Sequence, residues 1–515
     1  MDGALRGSDV NIVIRVDSSI SIGSGHVMRC LALAAEMTLC DHSVVFICAD
    51  FRGHLATLIK KQGCQVVLLP RKQEDVSADH MGNWLGCKWE IDVEQCRQAL
   101  NDVEKIDWLI VDHYAIDARW ECAMAPCCES ILVIDDLANR PHQCDLLLDQ
   151  TLNRRAFDYS PWLKNKNTEM LLGSQFSLLR PEFSAQRGRA LAARSQRCRV
   201  SKILLTMGGM DLDNISEMVL DALALVTEPS WRVTVVLGSG APHYQSIQEK
   251  ITQYNFEVEL LTSIDNMAHL MAEADLAIGA AGTTSWERCS LGLPTILIQT
   301  ADNQRLVAKE LSSQGAVIFI GEGKQLKSKI ILEALAYAEN NLSALSSATS
   351  SICDGKGAKR VANYIYLGKR IILRAVTELD VDLIFQWQSE REARRYSRNT
   401  ATPSYEQHTA WVAKRLSSSD PYLIIVFDDQ PVGVLRLDKL VLDNEYEVSI
   451  LISFNYYGQG IGTEALTKLR RQYPSVTIVA EVHEDNLPSS ALFKKLGYEQ
   501  LNGKYYSYSD FSNEA

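Results

Sequence analysis

Through the first two thirds of the chain, short apolar runs alternate with longer segments whose apolar residues recur at helical spacing. Residues 11–16, 43–49, 65–69, 108–111, 131–134 and 145–148 are runs of this kind, and most end on polar or turn residues. That is the pattern of parallel strands buried on both faces. The stretch 27–39 between the first two has the period of a helix. A second series begins at Lys202, with strands predicted over 202–207, 233–237, 257–261, 276–278, 295–298 and 317–320. Two successive doubly wound series predict an α/β architecture of two lobes, 1–185 and 186–368. The polar stretch 186–201 and the Ser, Ala, Asn and Gly-rich stretch 340–357 read as connectors.

From about residue 369 the pattern changes. A strand over 371–375 is followed by helical periodicity over 380–389 and 405–416. Runs at 422–427, 431–438 and 446–452 then read as an antiparallel meander with a hairpin turn at Asp428-Asp429-Gln430. The third domain, 369–515, is therefore expected to be α+β.

The chain has 515 residues, 46% hydrophobic and 23% charged, which suits a globular protein and excludes disordered and collagen-like classes. Residues 1–10 carry Asp2 and Asp9 and have no apolar stretch, so no signal peptide is read there. No run approaches the roughly 18 apolar residues of a membrane helix. A cytoplasmic location without membrane partners is expected. Net charge is −12; residues before Ile371 contribute −7 and the rest −5. Neither part has the basic excess of a nucleic-acid binder. The thirteen cysteines are scattered, without the paired CxxC spacing of a zinc site, so reduced thiols and no metal are expected.

Three stretches carry chemistry. Residues 15–30, RVDSSISIGSGHVMRC, follow the first strand and open the first helix. Gly23 and Gly25 allow positive φ and close backbone approach, and His26 falls in the first helical turn. A helix N-terminus disfavours the imidazolium, which leaves His26 able to accept a proton as a general base. A packed or capping histidine is the plainer alternative. Asp112-His113-Tyr114, Asp135-Asp136 and Asp149-Gln150-Thr151 end later strands on the same rim, as turn and cap residues or, for Tyr114, as a substrate contact.

In the second series, Met207-Gly208-Gly209-Met210-Asp211 and Gly238-Ser239-Gly240 end strands. Gly279 to Arg288, GAAGTTSWER, ends another and starts a helix, where backbone N–H groups and hydroxyls suit phosphate oxygens. Glu287 is placed to accept from a ribose diol. A simple N-cap is the alternative for Gly282-Thr283-Thr284-Ser285. In the third domain, SFNYYGQGIGT at 453–463 spaces glycines by two before a helix, a weak signal by itself.

The second lobe resembles the nucleotide-sugar half of GT-B glycosyltransferases, the lipid II-forming N-acetylglucosaminyltransferase among them. RVDSSISIGSGHVMRC, VDHY (111–114), IDDLANRPHQCDLLLDQ (134–150), LLTMGGMD (204–211) and the 266–295 stretch together resemble a narrower family. It is the UDP-2,4-diacetamido-2,4,6-trideoxy-beta-L-altropyranose hydrolases of pseudaminic acid biosynthesis. The resemblance implies a catalytic histidine at His26 and a substrate tyrosine at Tyr114. It places Arg15, Asp17, Gly25 and Gly209 among the substrate contacts. Diphosphate and ribose contacts fall on Gly282, Thr283, Thr284, Ser285 and Glu287, and the uracil side on 263–267 with Ile264 and Met267. Water guided by His26 would replace UDP at the anomeric carbon with inversion.

The glycine loop together with VHEDNLPSSALFKKLGY (482–498) resembles the Gcn5-related N-acetyltransferase fold, which implies acetyl-CoA as co-substrate. Ile450 and Ile452 would hold the pantetheine arm by their backbone, and Gly458, Gln459, Gly460, Ile461, Gly462 and Thr463 the pyrophosphate. Asn486 matches the family's asparagine near that arm. Two departures stand out: Tyr457 where the family has Arg or Gln, and Phe493 where a tyrosine often serves as acid. Glu447 is a candidate base, against a solvated strand carboxylate. Residues 387–399 and 404–411 resemble the branch that acetylates UDP-4-amino-4,6-dideoxy-N-acetyl-beta-L-altrosamine. The partners implied are a UDP-amino-sugar, acetyl-CoA and other enzymes of the same pathway. A glycosyltransferase using an acceptor hydroxyl, or a nucleotide-sugar sensor regulating the acetyltransferase, remain the competing readings.

Overall fold

The computed structural model describes residues 10–507 apart from 40–41, 72–82, 102, 104, 228, 230, 239, 263, 441–443, 474 and 502. Ser239 and Ser263, both in expected nucleotide-binding segments, lie outside the described residues, as do residues 1–9 and everything after 507. The chain forms two compact units that meet at residues 362 and 363.

The first unit holds two parallel sheets. Strands β1 (Asn11–Val16), β2 (Ser43–Ala49), β3 (Gln65–Leu69), β4 (Trp108–Asp112), β5 (Ser130–Ile134), β6 (Leu146–Asp149) and β7 (Glu169–Leu172) form the first, ordered 3-2-1-4-5-6-7. Strands β8 (Lys202–Thr206), β9 (Arg232–Leu237), β10 (Glu257–Thr262), β11 (Leu276–Ala280), β12 (Thr295–Gln299) and β13 (Ile318–Glu322) form the second, ordered 10-9-8-11-12-13. Each winding reverses beside its first strand, between β1 and β4 and between β8 and β11. Ligands of open α/β sheets bind outside the carboxyl ends of strands at such reversals. Helix α1 (Gly25–Thr38) follows β1, and the helix Thr284–Ser290 follows β11. Both motif segments therefore stand at the reversal points.

Two expectations about connectors are corrected. Residues 186–201 lie largely in the helix Pro181–Arg194, which buries Phe183 and Ala190 in the core beneath β11 and β12. Arg194 and Arg197 turn inward and donate to the carbonyls of Met271, Ala272, Ala274 and Leu291. Residues 340–357 contain the helix Leu342–Ile352, which buries Leu342, Leu345 and Thr349. Polar composition hid both: the arginines bond backbone carbonyls that the first helix covers, and the serines bond carbonyls one turn back in their own helices.

The second unit is one mixed sheet, ordered 14-15-16-17-18-20-19. It comprises β14 (Ile371–Ala375), β15 (Tyr422–Phe427), β16 (Gln430–Lys439), β17 (Glu445–Ile452), β18 (Thr477–Glu481), β19 (Glu499–Leu501) and β20 (Lys504–Ser507). Asp428 and Asp429 both have positive φ, +49° and +60°, as a type I′ hairpin turn requires. Strand β17 pairs with β16 from Tyr446 and Lys439 to Ile452 and Gly433. It pairs in parallel with β18 only across Glu445, Tyr446 and Glu447. Beyond Glu447 these two central strands part.

Candidate active sites

In the first lobe, Gly23 has φ +82° and its N–H donates to the Ser19 carbonyl at 2.9 Å, closing the turn that aims α1. A side chain would strain this position. Gly25 opens α1 without positive φ; its use is close approach, since a Cβ there would lie 3.7 Å from Thr283 Oγ1 of the second lobe. The start of α1 and the Gly282–Thr283 turn therefore stand side by side.

His26 is the second residue of α1. Its Nδ1 lies 2.6 Å from Oδ1 of Asp112, the last residue of β4. Strand pairing makes the meeting possible, because Val16 at the end of β1 is in register with Asp112. Burial works against ionisation of Asp112, but the charge and hydrogen bonds of Arg29 and His26 outweigh it and hold the carboxyl below the usual carboxylate range. An ionised carboxylate only accepts, so the shared proton sits on Nδ1. The ring packs edge-on against Tyr114 with centroids 4.6 Å apart, and Trp84 stands 6.1 Å away. Trp84 and Tyr114 pack with Phe51 and Ala49 in a small buried apolar cluster. The Tyr114 hydroxyl donates to Asp136 at 2.7 Å, and burial followed by that carboxylate pushes its pKa well up.

Arg15 and Asp17, expected among the substrate contacts, are both buried. Arg15 forks onto Asp17 and Asp92, while Asp17 also accepts from the Ala49 N–H at 2.6 Å and faces His113 Nε2 at 3.1 Å. They brace the carboxyl end of β1 from behind.

In the second lobe, Gly209 and Gly282 border open space, and Thr283 and Thr284 are half-buried around the same turn. Ser285 is buried, and its hydroxyl accepts from Arg288 at 3.1 Å. Arg288 also donates to the Ala280 carbonyl at 2.6 Å, and burial pulls its pKa down to about 10. Glu287 is partly covered, with Arg180 Nη2 at 4.0 Å; burial, incompletely offset by Arg180 and Arg288, raises its carboxyl to about 7. Ile264 and Met267 are half-buried against the core of this lobe. Asp211 caps the helix Ile215–Leu223 by accepting from the N–H groups of Ile215 and Ser216.

In the second unit, Gly458 and Gly460 have φ of +76° and +83°, and Gly460 is the N-cap of the helix Ile461–Gln472. Gln459 is exposed, Gly462 and Thr463 are half-buried, and the Ile461 side chain belongs to the core, which leaves its backbone to the loop. Ile450 and Ile452 lie beyond the point where β17 and β18 separate. Asn486 caps the helix Leu487–Lys495, its Oδ1 accepting from the Ser489 N–H at 3.2 Å. Phe493 is buried between the rings of Tyr498 and Tyr505. Glu447 marks the parting point itself and accepts from Arg398 Nη2 at 2.7 Å; Arg398 also donates to Glu481 at 2.7 Å.

Sequence reasoning missed Arg29, Asp112 as the partner of His26, and Arg398. Only Arg29 carried a signal, its spacing of three from His26 on one helix.

Comparison with known proteins agrees with this division. Residues 202–365 match the Glycosyltransferase family 28 C-terminal domain, and residues 370–499 the Acetyltransferase (GNAT) domain. The UDP-2,4-diacetamido-2,4,6-trideoxy-beta-L-altropyranose hydrolase of Campylobacter jejuni is 26% identical over 310 residues, 59% of this chain and 97% of that protein. An uncharacterized protein of Methanocaldococcus jannaschii is 22% identical over 527 residues, covering 95% of this chain and 97% of its own. The crystal structure of MurG from Acinetobacter baumannii superposes with a TM-score of 0.51 at 15% identity, over 69% of this chain and 99% of that one, a likeness of fold. The polypeptide thus joins a pair of GT-B-like lobes, homologous to the altropyranose hydrolase, to a Gcn5-related N-acetyltransferase domain.

Proposed function

We propose that residues 8–362 hydrolyse a UDP-linked 2,4-diacetamido-2,4,6-trideoxy-altropyranose, and that residues 363–515 N-acetylate the 4-amino UDP-sugar that precedes it. The observation that carries the first half is the His26–Asp112 pair at the start of α1, beside the Gly282–Thr283 turn. The Campylobacter relative's name and the span of the match support the substrate class.

In this reading Asp112 orients the ring and Nε2 takes a proton from water as the oxygen attacks the anomeric carbon. The bond to the diphosphate oxygen breaks with its electron pair, and UDP departs from the opposite face. Backbone N–H groups around Gly282 and Thr283 receive the charge that develops on the diphosphate. Glu287 accepts from the ribose. Tyr114, beside the ring of His26, faces the sugar.

For the second activity acetyl-CoA supplies the acetyl group. The parted strands β17 and β18 and the amides from Gly458 to Thr463 fit its pantetheine and pyrophosphate; the acceptor amine attacks the thioester carbonyl, Glu447 at the parting point takes the amine's proton, and the C–S bond breaks with its electron pair to release coenzyme A as the thiolate. Incubation with the diacetamido UDP-sugar alone, followed by NMR, tests the first assignment. UDP and the inverted free sugar are expected. UDP release that needs an added acceptor favours a glycosyltransferase, and binding without release favours a sensor.

A further inference from the structure

Arg29 stands one helical turn beyond His26, so both side chains leave the same face of α1. Its guanidinium donates from Nε to Asp112 Oδ2 and from Nη2 to Oδ1, both at 2.6 Å, and from Nη1 to Asp136 Oδ2 at 2.9 Å. Nη2 also lies 3.2 Å from His26 Nδ1. Arg29 is 4% exposed and Asp112 fully buried, so water screens this pair poorly. A naked carboxylate 2.6 Å from an imidazole draws a second proton onto the ring. Here a cation almost as close opposes that pull.

The other groups around the ring do not take its place. The Cys30 thiol, on α1, donates to Asp112 at 3.4 Å, and burial keeps it protonated. Tyr114, after β4, is likewise held protonated, and Trp84 is uncharged. Asp136, after β5, is reached from the ring only through the guanidinium and Tyr114.

We propose that Arg29 is the positioning residue of the His26 reaction: by engaging both oxygens of Asp112 it fixes the carboxylate against Nδ1 and offsets its charge, so that the ring is oriented without gaining a second proton. Nε2 then stays open to accept one from water. The link to Asp136 and Tyr114 ties the same guanidinium to the residue that faces the sugar. The step at Nε2 rests on the hydrolase reading; the effect of Arg29 on the ring does not.

The test is an NMR titration of isotopically labelled His26 in the full-length protein, its signal assigned with His26→Gln. In Arg29→Met the ring is expected to take its second proton about one to two pH units higher than in wild type. The acidic limb of kcat/KM for UDP release should move with it. In Asp112→Asn the point should fall, and adding Arg29→Met to Asp112→Asn should raise it again. That second pair keeps the test open if Arg29→Met alone, with Asp112 left buried and half-paired, does not fold. A ring that titrates at the same pH with and without Arg29 overturns the proposal. A ring that responds as expected in a wild-type protein that releases no UDP supports the role of Arg29 and overturns the hydrolase reading instead.

Discussion

His26 and Glu447 are both candidate bases, and their surroundings differ in kind. His26 is 9% exposed and leans on a carboxylate that is itself buried and gripped by a buried arginine. Glu447 sits on a strand at the parting of a sheet, and its partner Arg398 has a side chain 65% exposed and shared with Glu481. The first arrangement is fixed by packing before any ligand arrives. The second is an open ion pair that solvent and salt can loosen. A base held by the fold needs little reorganisation, whereas one held by a surface cation is free to trade that cation for a substrate amine.

Four measurements bear on this contrast. His26→Ala should reduce UDP release by about 10²–10⁴-fold while calorimetry finds UDP bound as before and acetyl transfer continues. Retained release would remove the distinction at its stronger end. Glu447→Gln should slow acetyl transfer by about 10²-fold and leave UDP release intact, measured on the same preparation.

Glu287→Gln should weaken UDP by about tenfold, or about 1.4 kcal/mol, at pH 8. Because the Glu287 carboxyl is raised to about 7 and a ribose diol donates to the ionised form, wild-type affinity should climb as pH rises through that value and then level off. The Gln variant should lack the climb. The native state also holds this proton more tightly than the unfolded chain, so its contribution to stability is present at acid pH and is lost as pH rises toward about 7. The smallest effect belongs to Arg398→Met, about two- to fivefold on transfer kcat/KM, with loss of its salt dependence. Salt up to 0.5 M should leave the kcat of UDP release nearly unchanged.

Most of this organisation was legible in the sequence because parallel strands buried on both faces announce themselves as apolar runs. β1, β2 and β3 begin and end where the pattern predicts. β7 was missed: it is four residues long, starts on Glu169, and lies at a sheet edge where burial does not enforce apolar residues. The helix Leu342–Ile352 was hidden by its serines, although Thr349 lies inside and bonds the Ala316 carbonyl. At the site, His26 was marked by its glycines and its place after a strand. Its partner was not, because Asp112 is 86 residues away and meets it only once β1 and β4 lie side by side. The converse holds for Arg15 and Asp17: their burial was not legible, because it depends on a distant neighbour, Asp92, that encloses them.

The early separation of β17 from β18 has a consequence for detection. A ladder that stops at Glu447 gives Val448 to Ile452 no partner strand on that side, in the middle of a sheet rather than at its rim. Such amides trade hydrogen for deuterium quickly unless an extended polar chain lies down along them. Mass-spectrometric uptake over this one peptide would then report occupancy by a thioester, or by its spent thiol, without any turnover.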